Sequence, residues 1–325
     1  MIMRINLFAL TAVVILTSAC GGSNNNSGKK AEQFSALPFP DIQIPSVVDS
    51  EQKRLQYLAE NYWNIITDPS REFRCDSSYV SGVEIQSFEQ KFANWTSVLD
   101  RVPLDISLKS IGKMYDRALA CEKRNPSSNV FETVVHLAQK YLYDPNSPVR
   151  NEEYYYPFVS RYSRYEGLSD VERGKFEREA RLCGLNRIGT KATDFRFCDR
   201  NGKIRRMHDI ESPYTLLFFS NPGCNACMDI INVLKDDAVI SSLIHNGVLT
   251  VLNIYIDEDL DEWRSYMPVY PEEWYNCFDP DFTIRNGSLY NIRAIPSLYL
   301  LDKEKRVILK DAPEHKVFER IAMSR

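Results

Sequence analysis

Two cysteines separated by two residues, Cys224-Asn225-Ala226-Cys227, are the part of this chain best placed to do chemistry. The apolar run 214–219 precedes them and the helix-like stretch 228–234 follows. Thiols one helical turn apart at a strand-to-helix turn suit thiol–disulfide exchange. Cys224 stands where helix N–H groups point outward, which favours its thiolate and lets it attack a disulfide. Cys227 is near enough in sequence to resolve the mixed disulfide that results. A lone CxxC is shared with zinc sites and structural bridges. Here the flanking pattern and a downstream Ile295-Pro296 favour the redox reading. The four histidines, His136, His208, His245 and His315, stand apart from one another and from any cysteine pair at zinc spacing, so no metal and no cofactor are expected. The remaining cysteines include Cys75 and Cys121, Cys183 and Cys198, each pair open to bridging or to burial as free thiols, and Cys277, read as a core residue with a third redox thiol as the alternative. Asp257 closes a strand-like run and is read either as a proton shuttle or as a helix cap.

The elements that must position these thiols follow from periodicity. Residues 185–325 read as strand and helix in the order βαβ, a longer excursion over 259–290, then ββα. Turn signals fall at Asp199-Arg-Asn-Gly202 and Asp302-Lys-Glu-Lys305. That order predicts a central mixed sheet with helices on both faces. Residues 49–184 instead carry apolar residues at helical spacing, for example Phe88, Phe92, Trp95 and Leu99, and predict a small all-α domain. Asp49 with Gln52 and Ser169 with Glu172 are expected capping boxes, and Gly184 is an expected C-cap. The change of pattern near Leu185 predicts that 185–325 fold as their own unit.

The N-terminus reads as an export signal over residues 1–19. Arg4 precedes an apolar stretch too short to span a bilayer, and small residues lead to Cys20. Residues 20–48 then predict a lipidated Cys20, a Gly/Ser/Asn tether and an extended Pro-rich lead-in. The segment resembles a bacterial lipobox. That likeness implies a lipid anchor facing the periplasm, and Gly21 after the cysteine favours the outer over the inner membrane. An ordinary secretory signal is the alternative. A net charge of −4 gives no electrostatic case for nucleic-acid binding.

Three stretches, 189–195, 218–227 and 289–302, carry a family likeness: residues 185–325 resemble thioredoxin-fold domains of the TlpA/ResA type, membrane-anchored thiol–disulfide oxidoreductases. Residues 49–184 resemble the uncharacterised helical domain that precedes such domains in some bacterial lipoproteins. The first likeness implies an α/β thioredoxin-like fold, with Cys224 as nucleophile, Cys227 as resolving thiol and Pro296 as a cis-proline facing them. Ile295, just before it, would then present its backbone to an extended substrate. Expected partners are disulfide-containing exported proteins and an envelope electron donor. Gly223 stands where the family has an aromatic residue, and Asn225-Ala226 lacks the usual proline or basic residue. The competing reading is a partner-binding lipoprotein in which the CxxC is a structural bridge.

Overall fold

The computed structural model describes residues 35–68, 70–71 and 74–323. The expected signal segment 1–19, the expected lipidation site Cys20 and most of the expected tether lie outside the described residues. Residues 36–325 form one compact unit. No described helix is long and apolar enough to cross a membrane.

The helical part runs α1 (Glu51–Asn61), α2 (Ile85–Leu99), α3 (Leu104–Arg124), α4 (Val130–Ala138), α5 (Glu152–Tyr162) and α6 (Asp170–Cys183). Its core is aromatic. Trp63 packs against Phe88, Phe92 and Trp95, and the Trp95 indole N–H donates to Ala59 O at 3.1 Å, so the buried ring keeps its polar group paired. Phe39, from the extended lead-in, completes this cluster by packing on Trp63 and Phe88.

Local signals were read correctly in some places and not in others. Ser169 and Glu172 form the expected capping box of α6, and Gly184 caps its end. The cap of α1 is instead Ser50, whose hydroxyl accepts from Lys53 N, while Asp49 pairs with Lys53 at the surface. The helical spacing read through Ile66 outlasts α1, which ends at Asn61 and passes into turns. A two-stranded hairpin, β1 (Tyr79–Val80) and β2 (Val83–Glu84), interrupts the helices. Ser81 and Gly82 both take positive φ there, a turn that an all-α reading does not contain.

The C-terminal part holds β3 (Arg196–Asp199), β4 (Ile204–Arg206), β5 (Tyr214–Phe219), β6 (Leu249–Tyr255), β7 (Tyr275–Phe278), β8 (Ser297–Leu301) and β9 (Val307–Leu309). They form one sheet in the order β4-β3-β7-β6-β5-β8-β9. β5, β6 and β7 run parallel, and the pairings β5–β8, β8–β9, β3–β7 and β3–β4 are antiparallel. The central strands are buried on both sides, as strands covered by helices must be. Around the sheet lie α7 (Asn225–Asp236), α8 (Ala238–His245), α9 (Leu260–Ser265), α10 (Thr283–Asn286) and α11 (Glu314–Ala322). One apolar cluster joins β5, β6 and β8 to α7, α8 and α11, and a second lies on other side chains of the same strands. The fold is thioredoxin-like, with a mixed sheet behind a helical region, as expected. The excursion 259–290 contains β7, which extends the sheet and carries Cys277 into its core.

Candidate active site

Cys224 is the N-cap of α7. β5 ends at Phe219, and the chain turns through residues 220–223 to enter the helix. Gly223 adopts φ +70°, a conformation that a side chain with a Cβ disfavours. Glycine takes that conformation without strain at the position where the likeness has an aromatic residue. The Cys227 backbone N–H donates to Cys224 Sγ at 3.1 Å, so the first thiol occupies the place of a capping oxygen. A thiolate at that position would meet the unpaired N–H groups and positive end of the helix.

Cys224 and Cys227 are joined as a disulfide, with Cα atoms 5.2 Å apart. Cys224 is half-buried, whereas Cys227 is 1% exposed. The outer sulfur is thus the more accessible of the two. Behind the turn runs a polar chain. Ser220 donates to Asn253, Asn253 Nδ2 to Asn276 Oδ1 at 3.1 Å, and Asn276 Nδ2 to Pro271 O at 2.6 Å. Asn221 Nδ2 donates to Asp257 at 2.7 Å, and Arg285 pairs with the same carboxylate at 2.8 Å. Asp257 thus braces the turn before the cysteines. The neighbouring helix cap is Asp259, which accepts from Glu262 N.

The Ile295–Pro296 peptide bond is cis. Both residues line a groove of about 340 Å³ that starts at Ala226, between the two cysteines. Ile230 and Val233 of α7 and Phe318 of α11 continue its apolar floor. Cys224 and Ile295 pack against the same apolar cluster that holds Cys227. The groove also receives Pro145, Asn146 and Arg150 from the helical region. Sequence reasoning did not find these three. The run Tyr143–Pro148 reads locally as a helix breaker, and nothing in it signals a site far along the chain.

The other thiols have different surroundings. Burial pushes Cys121, Cys183, Cys198 and Cys277 upward from the ordinary thiol range, which keeps them protonated and unreactive. Cys183 lies at the end of α6 beside Asn291, while Cys198 lies on β3, and no bridge joins them. Cys277 donates its thiol to Asn253 O at 3.3 Å within the sheet core.

Comparison with known proteins places this geometry. Residues 19–184 match the model of a domain of unknown function, DUF5106. A thioredoxin-like protein from Bacteroides caccae ATCC 43185 is 36% identical, with a TM-score of 0.76 over 90% of this chain and 100% of that one. The C-terminal domain of an uncharacterized protein from Bacteroides fragilis NCTC 9343 is 45% identical over 42% of this chain and 98% of that one, with a TM-score of 0.41. A domain of a possible thiol-disulfide isomerase from Cytophaga hutchinsonii ATCC 33406 is 23% identical over 43% of this chain and 94% of that one, with a TM-score of 0.35. No similar sequence is found among curated proteins. By its match over residues 19–184 and its likeness along most of its length to the Bacteroides caccae protein, the chain belongs to the DUF5106 family and carries a thioredoxin-like fold behind its helical region.

Proposed function

We propose that the chain is a thiol–disulfide oxidoreductase of the cell envelope that uses Cys224 and Cys227 to reduce disulfides of exported proteins. The observation that carries this reading is the pairing of a half-buried cysteine at the N-cap of α7 with a sheltered one, with a groove that runs from Ala226 between them to Ile295 and Pro296. In the reduced chain the Cys224 thiolate attacks one sulfur of the substrate disulfide. A Cys224–substrate bond forms, the substrate S–S bond breaks, and the departing thiolate takes up a proton. Cys227 then loses its proton and attacks Cys224 Sγ. The Cys224–Cys227 disulfide forms and the second substrate thiol leaves and is protonated. Two electrons pass from the chain to the substrate, and a dithiol donor in the envelope restores the reduced state.

The likeness of residues 185–325 to the TlpA/ResA type supports this assignment, and the signal-like segment with Cys20 supports a lipid anchor facing the periplasm. The test is transfer of reducing equivalents. The reduced protein, mixed with a disulfide-linked peptide, is expected to yield free peptide thiol and an equal amount of the Cys224–Cys227 disulfide. No transfer at any substrate potential would leave a structural bridge in a binding protein. Cys20→Ser is expected to move the protein from the membrane to the soluble envelope fraction. Unchanged membrane association would remove the anchor.

A further inference from the structure

The groove beside the cysteines is not built by the thioredoxin-like part alone. Its far wall is the connection between the end of α4 and the start of α5, through Pro145, Asn146 and Arg150. That wall is well tied down. Asn146 N donates to Asp144 Oδ1 at 2.8 Å, Ser147 Oγ to Tyr141 O at 2.7 Å, and Asn151 N to Leu142 O at 2.9 Å. Arg150 Nη2 donates across to Ala312 O at 3.3 Å, which fixes the wall to the start of α11. The groove is therefore a built cleft between two regions of one compact unit.

Its charge is uneven. Asp229 on α7 and Glu314 at the first turn of α11 line it as exposed carboxylates, and neither has a hydrogen-bond or ion-pair partner among the described residues. Arg150, on the opposite wall, keeps its positive charge while donating to the Ala312 carbonyl, so carboxylates outnumber cations two to one among the lining residues. The lining also offers apolar surface, including Val233, which is 39% exposed. An apolar floor rimmed by unpaired carboxylates fits an extended segment that buries an apolar side chain and offers a cation.

Resting on the redox reading above, we propose that the connection 144–151 together with Asp229 and Glu314 selects the substrate: an extended polypeptide with an apolar residue and a lysine or arginine beside its disulfide-bonded cysteine. The helical region then takes part in recognition as one wall of the cleft, whose other wall carries Ala226 between the two cysteines.

The test uses the full chain, reduced, with three disulfides. Two are extended peptides with valine before the cysteine and either lysine or glutamate after it, each disulfide-linked to a small thiol. The third is hydroxyethyl disulfide, too small to reach the wall. The lysine peptide is expected to react faster than the glutamate peptide. In the double variant Asp229→Lys/Glu314→Lys the ratio of the two rates should fall about tenfold, the size expected when two rim charges are reversed. Asn146→Trp, which narrows the cleft from the helical side, should slow both peptides about fivefold relative to hydroxyethyl disulfide. A peptide ratio that is the same in wild type and double variant overturns the proposal. So does a peptide-to-hydroxyethyl ratio that Asn146→Trp leaves unmoved. Fluorescence anisotropy of the two peptides on the oxidised chain separates the two levels of the claim. Equal binding overturns the cleft as a selector. Preferred binding of the lysine peptide without reduction of any disulfide keeps the selector and overturns the redox reading.

Discussion

At the scale of single residues, the two cysteines differ in position and burial, and the proposed mechanism gives them different work. Cys224 sits at a helix N-cap and is half-buried, and Cys227 is closed off by the core. Cys224→Ser is therefore expected to lower disulfide reduction by at least about 10³-fold, as loss of a covalent nucleophile does, measured as peptide thiol released per minute. Persistent turnover would remove Cys224 from that role. Cys227→Ser should instead leave attack intact and trap a mixed disulfide, seen as a mass increase equal to one substrate thiol. The buried thiols of Cys121, Cys183, Cys198 and Cys277 are held up by desolvation, so alkylation after mild reduction at neutral pH should modify Cys224 before any of them, as read by peptide mass mapping. The same shifts fix a pH dependence. A thiol raised in the folded state stays protonated where its unfolded counterpart, with a value of about 8.5, has ionised. The unfolded state then binds fewer protons, and stability falls as pH rises. Unfolding midpoints should hold steady below roughly pH 8 and decline above about 8.5, and Cys183→Ala should flatten that decline at a cost in stability at neutral pH.

Elements determine how much of this was legible beforehand. The strand β5, the helix after it and the β8–β9 hairpin read directly from the sequence because each carries its own local pattern: a continuous apolar run, a helical stripe and a turn of polar residues. β7 did not, since its four residues become a strand through pairing with β6 and β3, and neither partner is adjacent in sequence. The β1–β2 hairpin is shorter still, and its two-residue strands give no period to detect. The CxxC pair stands out in the sequence for the same reason that β5 does. The cleft wall at Pro145, Asn146 and Arg150 does not, because it depends on how the α4–α5 connection meets α11. The turn before Cys224 shows the value of the element scale. Gly223 departs from the residue usual in the likeness, and its φ of +70° is one that glycine adopts without strain. A Cβ there would meet no atom within 4 Å, so the cost of substitution is in the backbone alone. Gly223→Ala should destabilise the fold by ~1–2 kcal/mol, measured by denaturant unfolding, without a clash to relieve. A variant as stable as wild type would mean that the turn does not require the left-handed conformation.

Across the whole molecule, the junction near Leu185 is held by a buried ionic cluster that composition alone does not reveal. Glu152, at the start of α5, is almost fully buried. Its carboxylate lies 2.9 Å from Arg293 Nε and 3.1 Å from Lys310 Nζ, and it accepts from Asn291 Nδ2 at 2.5 Å. Arg293 pairs in turn with Asp311, which also accepts from Ser297 Oγ at 2.7 Å. Lys310 Nζ donates to the backbone carbonyls of Cys183 and Leu185, each at 2.6 Å, at the point where α6 hands over to the sheet region. Burial pushes the Glu152 carboxyl upward, and Lys310 and Arg293 oppose that. Each of these charges is tolerable inside only because the others are present. The change in sequence pattern at Leu185 predicts a self-sufficient unit over 185–325. The cluster predicts otherwise, since that fragment would keep Arg293, Lys310 and Asp311 and lose the carboxylate between them. Glu152→Ala should therefore cost ~3–5 kcal/mol by leaving two buried cations with Asp311 as the one remaining carboxylate of the cluster. The loss should be shared by both regions. Hydrogen exchange under increasing denaturant is expected to show α3 and α5 losing protection together with β5 and β6, at one midpoint that shifts downward as a whole in the variant. Separate midpoints in the wild type, with only one of them moved by Glu152→Ala, would show that the helical region and the sheet fold independently and that the cluster is a contact surface between them.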